Sequence, residues 1–349
     1  MKVLRCVTAF LVLFWLITDL SDAASAGDAA WEAIVALDAG PPAKARTGEE
    51  ARAAAIAHLG RQEEALRGFL RNHESDPHTF EARLRLARLL QIRGDVQGSK
   101  KAVEESSELL DALSKIATVE QRAEVDFARL TLQMRSLKAP TPRDRDQLLA
   151  AARRFQTAHP QDRRLAALLA EVASLFPLQP KTMEALLRDA ASLPGDEELT
   201  QRIADDLKKI GLLGQPLSLR FTSVQGAPYE GADAAGSVVI VAFFAVWSQP
   251  SKAALDQVLR ATSRLEKERV KIVGVSLDTK LEPLAAYLLE KGIGWPVACD
   301  GLGWESPLVR GVGVNALPTV WLVDKQGRLR SLDGLESTES QVRQLLNER

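Results

Sequence analysis

The sequence predicts an α + α/β architecture in two parts: a run of paired helices, then a smaller domain in which strands alternate with helices. Three observations carry this reading. Apolar residues recur at helical spacing from Asp28 to about Gly211, the texture breaks at Gly211-Leu212-Leu213-Gly214-Gln215-Pro216, and beyond the break short β-branched runs alternate with amphipathic stretches. A chain of 349 residues leaves room for two ordinary domains after a targeting leader. Hydrophobic residues at 46% and charged residues at 26% support buried cores and argue against a disordered or collagen-like chain. Lys and Arg number 45 against 46 Asp and Glu, and the balance holds in both halves, so neither offers the one-signed field that attracts a phosphate backbone. Nucleic acid is not an expected partner.

Residues 1–26 have the pattern of a secretory signal. Lys2 and Arg5 precede an apolar run from Cys6 to Ile17, and the chain then turns small and polar through Ser21 and Asp22 to Ala24-Ser25-Ala26. Cleavage is expected after Ala26. The apolar run is shorter than the roughly 20 residues a bilayer core needs, so export is favoured over retention as an anchor. No later stretch is long enough to span, and the expected location is periplasmic or secreted. Removal of the leader takes Cys6 with it and leaves Cys299 alone, so no intramolecular disulfide, cysteine-rich zinc site or two-thiol redox centre can form. His58, His73, His78 and His159 all precede residue 160. His73 and His78, five residues apart beside Asp76-Pro77, are a weak metal signal, solvated loop histidines are the expectation, and neither metal nor cofactor is expected.

The helical part, residues 27–211, is clearest where Leu165, Leu168, Leu169, Val172, Leu175 and Phe176 fall on one stripe. Met183, Leu186, Leu187 and Ala190 repeat the pattern, as do Leu199, Ile203, Leu207 and Ile210, and earlier Ala82, Leu86, Leu89 and Leu90. Such stripes must be buried against one another. Asp76-Pro77, His159-Pro160 and Leu193-Pro194 each open a polar turn and then a helix, and Pro160 and Pro194 stand 34 residues apart. The run from Pro77 through Arg93-Gly94-Asp95 to Leu110, two helices about a glycine turn, resembles a tetratricopeptide unit, which implies a helical-hairpin solenoid with an extended partner surface. The Trp, Leu-Gly, Tyr and Ala signature positions of that repeat are missing and Pro77 is out of register with Pro160, so an irregular bundle is the alternative.

In the second part, residues 212–349, strands are expected over 217–223, 238–246, 270–276 and 319–323. Helices are expected over 252–267, 281–291 and 337–346. The run from Val238 to Val246 is nearly all apolar, as a central strand buried on both faces would be.

This part resembles the thioredoxin-like domain of TlpA/ResA proteins, within the redoxin (AhpC/TSA-related) group, over nearly its whole length. In family order come Gly214-Gln215-Pro216-Leu217 at the entry strand, Ser237 to Trp247 as the central strand and active-site turn, and Val273 to Asp278 as the next strand. Trp295-Pro296, Val314-Asn315-Ala316-Leu317-Pro318-Thr319 with the family's cis-proline, and Trp321 to Gly327 at the closing hairpin follow. The resemblance implies a thioredoxin-like α/β domain with a central mixed sheet and, at family level, thiol-disulfide oxidoreductase activity.

The active-site turn departs from the family pattern. Where the family has Trp-Cys-x-x-Cys, this chain has Trp247-Ser248-Gln249-Pro250-Ser251. Exchange requires a thiolate to attack a disulfide; a serine hydroxyl is far less acidic and has no stable oxidised partner. The reaction is unavailable at this turn. Family members also carry a carboxylate or amide at the position of Ala242, a glutamate at that of Ala254 and a helix-bending proline at that of Asp256, so the proton-handling groups are absent with the sulfurs. A natural loss of redox chemistry is the reading, rather than an engineered change of two cysteines.

The resemblance implies that Trp247, Ser248, Pro250, Leu317 and Pro318 form a shallow groove for extended peptides, in which main-chain groups beside the cis-proline pair with a partner strand; that needs no thiol. Their persistence as mere fold requirements is the competing view. Ser248 also has a plain role as the cap of the helix that Pro250 helps to open. A serine nucleophile assisted by Lys252 is disfavoured, since residues 215–349 hold no histidine. Cys299 is expected as a packed thiol, with an exposed reactive thiol as the alternative. The functional expectation is an exported, redox-degenerate thioredoxin-like module that binds a protein or extended peptide. A thiol-disulfide oxidoreductase and a helical-repeat assembly scaffold are the alternatives.

Overall fold

The structure, a computed structural model, describes residues 26–41, 47–137, 140–177, 179–263, 265, 268–335 and 337–348. All of the expected leader except Ala26, including Cys6, lies outside the described residues. The described residues up to Pro160 form one compact unit, and Gln161–Arg349 form a second.

The first unit is helical: α1 (26–36), α2 (Gly48–Asn72), α3 (Thr79–Gln97), α4 (Lys100–Ile116), α5 (Val119–Ser136) and α6 (Pro142–Ala158). Side-chain caps fix the starts. Thr47 and Ser99 accept backbone N–H groups from Glu50 and Ala102, while Thr118 with Gln121 and Thr141 with Asp144 form reciprocal capping boxes. From α2 onward each helix packs on the next, and α3 also meets α5. The helix α3 is the buried centre of this unit. Its Leu86, Leu89 and Leu90 join Leu66 and Phe69 of α2, while its Leu84 and Ala87 join Leu110, Leu113 and Val125 of α4 and α5.

Two expectations are corrected here. Gly94 is not the turn between helices but a buried residue inside α3, and the chain turns at Gly98, whose φ is 68°. Gly94 is required by a close approach instead: a Cβ there would lie 2.4 Å from Val103 Cγ2. The histidines are less solvated than expected, and His58 is not in a loop. His58 lies within α2, buried, and its Nε2 donates to the Leu37 carbonyl at 2.8 Å. His73 and His78 are half-buried, with ring centroids 5.1 Å from Phe69 and 4.6 Å from Trp31 respectively. His159 packs on Phe155 and meets Asp126 Oδ2 at 2.9 Å. Aromatic neighbours settle these rings. Among the described residues no cluster of three or more His, Cys, Asp or Glu could hold a metal, and no helix is long and apolar enough to cross a membrane.

The second unit begins three helices ahead of the texture break, with α7 (Leu165–Ala173), α8 (Pro180–Ala191) and α9 (Glu197–Gly211). A small hairpin follows, β1 (Arg220–Thr222) with β2 (Pro228–Glu230). Then come β3 (Val238–Phe244), α10 (Gln249–Thr262), β4 (Val270–Ser276), α11 (Leu281–Glu290) and β5 (Val297–Ala298). The single turn α12 (Pro307–Arg310), β6 (Thr319–Val323), β7 (Leu329–Ser331) and α13 (Thr338–Asn347) complete it. The sheet order is β5-β4-β3-β6-β7, with β3, β4 and β5 parallel and β6 and β7 antiparallel to their neighbours. It is a thioredoxin-like mixed sheet.

The strand β3 is buried at all seven positions, which explains its lack of alternation. Val238, Ile240, Ala242 and Phe244 enter one core with Leu255 and Val258 of α10, Leu284 and Leu288 of α11 and Val342 and Leu345 of α13. Val239, Val241 and Phe243 enter the other with Trp321 and Leu329, and Trp321 meets Phe243 edge-on at 5.0 Å.

Two glycine substitutions separate crowding from helix propensity. Gly60→Ala, in an exposed stretch of α2 with nothing within 4 Å of the added carbon, is expected to raise stability by about 0.5–1 kcal/mol. Gly94→Ala should lower it by about 1 kcal/mol, overpacking against Val103 outweighing the same propensity gain. Urea unfolding of the two variants beside the wild type measures both signs.

Candidate functional site

The site lies where the strands end. Because β3, β4 and β5 are parallel, their C-terminal ends share one edge of the sheet, and β6, antiparallel to β3, begins there. Phe243 pairs with Thr319, so the register continues to bring Pro318 opposite Phe244. The Leu317–Pro318 bond is cis.

A carboxylate shapes the turn that follows β3. Asp278, buried just after β4, accepts the Val246 N–H on both oxygens at 3.1 and 3.0 Å. Ser276 Oγ donates to the same carboxylate at 2.7 Å and accepts the Asp278 N–H at 3.1 Å. Val246 thereby leaves the sheet, and the expected strand over 238–246 stops at Phe244. The helix then starts earlier than expected. Ser248 caps it by accepting the Ser251 N–H at 3.3 Å, and Pro250 occupies the first turn, where its missing N–H costs nothing.

The residues of the degenerate motif have unlike surroundings. Trp247 is 63% exposed, an indole standing free of the core. Ser248 is half-buried and engaged as a cap. Ser251 is fully buried, and its Oγ has no hydrogen-bond partner among the described residues. A buried hydroxyl without a partner costs about 1–3 kcal/mol, whereas a thiol, a weaker hydrogen-bonding group, would tolerate the same setting better. Lys252 Nζ stands 5.7 Å from the centroid of the Tyr287 ring. Burial, with Asp256 nearby, pushes the Tyr287 phenol above its ordinary value, so it stays protonated. Val246, Trp247, Lys252, Pro283 and Tyr287 line an open groove beside the turn.

Further apolar side chains are exposed at this end. Leu281 follows β4, and Leu302 and Trp304 follow β5. Cys299 is half-buried and donates to the Asp278 carbonyl at 3.2 Å. It sits behind the carboxylate that holds the turn.

Sequence reasoning missed the support of the cis-proline loop. The helix α9 runs beneath residues 310–315. Lys208 Nζ donates to the Arg310 carbonyl at 2.8 Å, and Lys209 Nζ donates to Asn315 Oδ1 at 2.8 Å. Asn315 Nδ2 donates to Asp206 Oδ1 at 3.0 Å, and Asp206 pairs with Lys209 at 2.6 Å. Gly313, at φ 76°, packs so closely that a Cβ would lie 2.6 Å from the Asp205 carbonyl oxygen. Only glycine suits that position. Asn315 stands in the family-like motif, but nothing in its sequence neighbourhood points to a helix more than a hundred residues earlier. In the sequence Asp278 reads only as the end of a strand motif.

The fold and the site define a thioredoxin-like domain without its thiols, and residues 236–329 match the family described as Thioredoxin-like. Among curated relatives, the thiol-disulfide oxidoreductase ResA of Bacillus thuringiensis (strain Al Hakam) is 23% identical over 144 residues, 41% of this chain and 82% of its own. That of Geobacillus thermodenitrificans is 21% identical over 125 residues, 36% of this chain and 70% of its own. Of solved structures, the thioredoxin domain of a thiol-disulfide oxidoreductase from Bacteroides vulgatus is 18% identical, covering 39% of this chain and 98% of that one with a TM-score of 0.35. A thiol:disulfide interchange protein of the thioredoxin family from Chlorobium tepidum is 23% identical, covering 39% and 97% with a TM-score of 0.33.

The two serines should respond oppositely to truncation. Ser248→Ala removes a cap and is expected to cost about 1 kcal/mol, while Ser251→Ala removes an unpartnered hydroxyl and should raise stability by a similar amount. Thermal melts of the single variants give both signs. Gly313→Ala forces a carbon against the Asp205 carbonyl and should speed backbone hydrogen exchange over 197–211 and 310–318 together. Exchange that rises in one segment alone would contradict the brace.

Proposed function

We propose that the protein is exported and that its thioredoxin-like domain binds an extended segment of a partner protein instead of exchanging disulfides with it. The carrying observation is the 63% exposure of Trp247 at a turn where both cysteine positions are serine and a cis-proline lies alongside. An indole so placed gains contact area only from a ligand. Leu281, Leu302 and Trp304 are also exposed, in the segments that follow β4 and β5. Backbone groups flanking Pro318 would give a partner strand its hydrogen bonds and Trp247 an apolar wall, a mode of recognition that uses main-chain pairing for affinity and side-chain contacts for selectivity.

Export rests on the Ala24-Ser25-Ala26 pattern and the short apolar run before it. The names of the relatives favour an oxidoreductase. The chemistry of the turn opposes it, because no thiolate is present there to attack.

The test is capture from the native cell envelope with immobilised wild type and Trp247→Ala. Wild type should retain a discrete partner, and the variant should retain it at least about tenfold less, as for loss of a central aromatic anchor. Equal retention would remove the groove from the reading. An insulin-reduction assay run beside it is expected to match the protein-free blank; turnover above the blank that Cys299→Ser abolishes would restore an enzymatic role.

A further inference from the structure

In the loop between α2 and α3, Asp76 has a side chain only 10% exposed. Its Oδ1 accepts the His78 backbone N–H at 2.8 Å and meets the ring Nδ1 at 2.9 Å. Among the described residues no hydrogen bond reaches Oδ2. That oxygen is directed at Gly27: a Cβ built there would lie 2.4 Å from it, inside any allowed contact. Gly27 is buried in the first turn of α1. Every other L-residue at this position would drive a carbon into the carboxylate.

The approach is not an accident of a loose segment. Trp31 of α1 stacks on the His78 ring with centroids 4.6 Å apart, leans on Phe69 at 5.5 Å and lies under the Arg85 guanidinium at 5.0 Å. Ile34, one turn on, is buried in the same core. The helix α1 is thereby held on the α2–α3 hairpin, with Gly27 set against Asp76. The backbone N–H of His78, outweighing burial, and then its ring hold the Asp76 carboxyl below the usual carboxylate range, so it is ionised at neutral pH.

With Oδ1 engaged by His78, Oδ2 keeps its lone pairs free for a cation placed at Gly27. Within an uncut chain the Gly27 nitrogen is an amide with a single hydrogen. In a chain cut before it, the same atom is an ammonium with three donors and a full charge, one bond from the Cα that Oδ2 faces. Ala24-Ser25-Ala26 places small residues one and three positions before the Ala26–Gly27 bond, the pattern that signal-cleaving endoproteases accept.

We propose that cleavage between Ala26 and Gly27 creates a docking group, the α-ammonium of Gly27, which settles on Asp76 Oδ2 and pins α1 to the α2–α3 hairpin. The reaction is amide hydrolysis by a signal-cleaving protease. Water supplies the hydroxyl to the Ala26 carbonyl carbon and a proton to the Gly27 nitrogen, which takes a second from solvent. This inference rests on the export reading and is independent of what the Trp247 groove binds. It makes the processed terminus a structural part of the helical unit.

The test uses the full chain, expressed with its leader in an exporting bacterium and recovered from the envelope. Intact mass and N-terminal sequencing should find a chain beginning at Gly27. Its α-amine is then acetylated near neutral pH, where it reacts ahead of the lysines because its pKa lies about 2–3 lower. Acetylation is expected to lower the melting temperature of the wild type by about 2–4 °C and to produce no further shift in Asp76→Asn. Equal shifts in the two backgrounds overturn the docking, as does a chain cut at another bond. An uncut chain confined to the cytoplasm overturns export itself, which distinguishes the two failures.

Discussion

The C-terminal unit depends on the pairing of β3, a strand with both faces buried and both edges occupied, parallel to β4 on one side and antiparallel to β6 on the other. That mixture of directions has a geometric consequence. The strand that enters the turn and the strand that leaves the cis-proline meet at the same edge of the sheet, so a helix start and a kinked loop are neighbours whatever side chains they carry. Asp278 then fixes the angle at which the chain departs, since a carboxylate accepting one N–H with two oxygens leaves Val246 little freedom. The groove is a product of topology and one buried acid, and neither requires sulfur.

Replacing sulfur by oxygen has unequal effects at the two positions. At Ser248 the oxygen is useful, because a hydroxyl caps a helix well. At Ser251 it is a liability, buried without a partner against a core built for an atom that asks little of its neighbours. Trp247 is exposed at the same turn, and the unsatisfied hydroxyl of Ser251 is buried.

Much of this domain was legible in the sequence. The strands over 270–276 and 319–323 match β4 and β6 to the residue, because each is an apolar run closed by polar or turn residues. The strand over 238–246 was read two residues too long, since the N–H that ends it is claimed by an acid 32 positions away. The helix α10 begins three residues before its expected start because the Ser248 cap and Pro250 act before the apolar stripe becomes visible. Gly94 was misread for a related reason. A glycine kept for a close helix approach looks, in one dimension, like a glycine kept for a turn. The brace under the cis-proline loop was invisible, as pairs such as Lys209 with Asn315 have no local signature.

The remaining thiol does not belong to the turn, and the sheet order says why. Cys299 directly follows β5, and β4 lies between β5 and β3, so two strand spacings separate its strand from the one that feeds the turn. At about 4.8 Å each, these put the two backbones roughly 10 Å apart. A disulfide needs Cα atoms within about 7 Å. The strands that lead to positions 248 and 299 are thus not neighbours, and β4, followed by the Asp278 that holds the turn, runs between them. Cys299 by itself could form a mixed disulfide, whose release would take a thiolate from another molecule, since no second cysteine is present among the described residues. The thiol donates to the carbonyl of the very residue that shapes the turn.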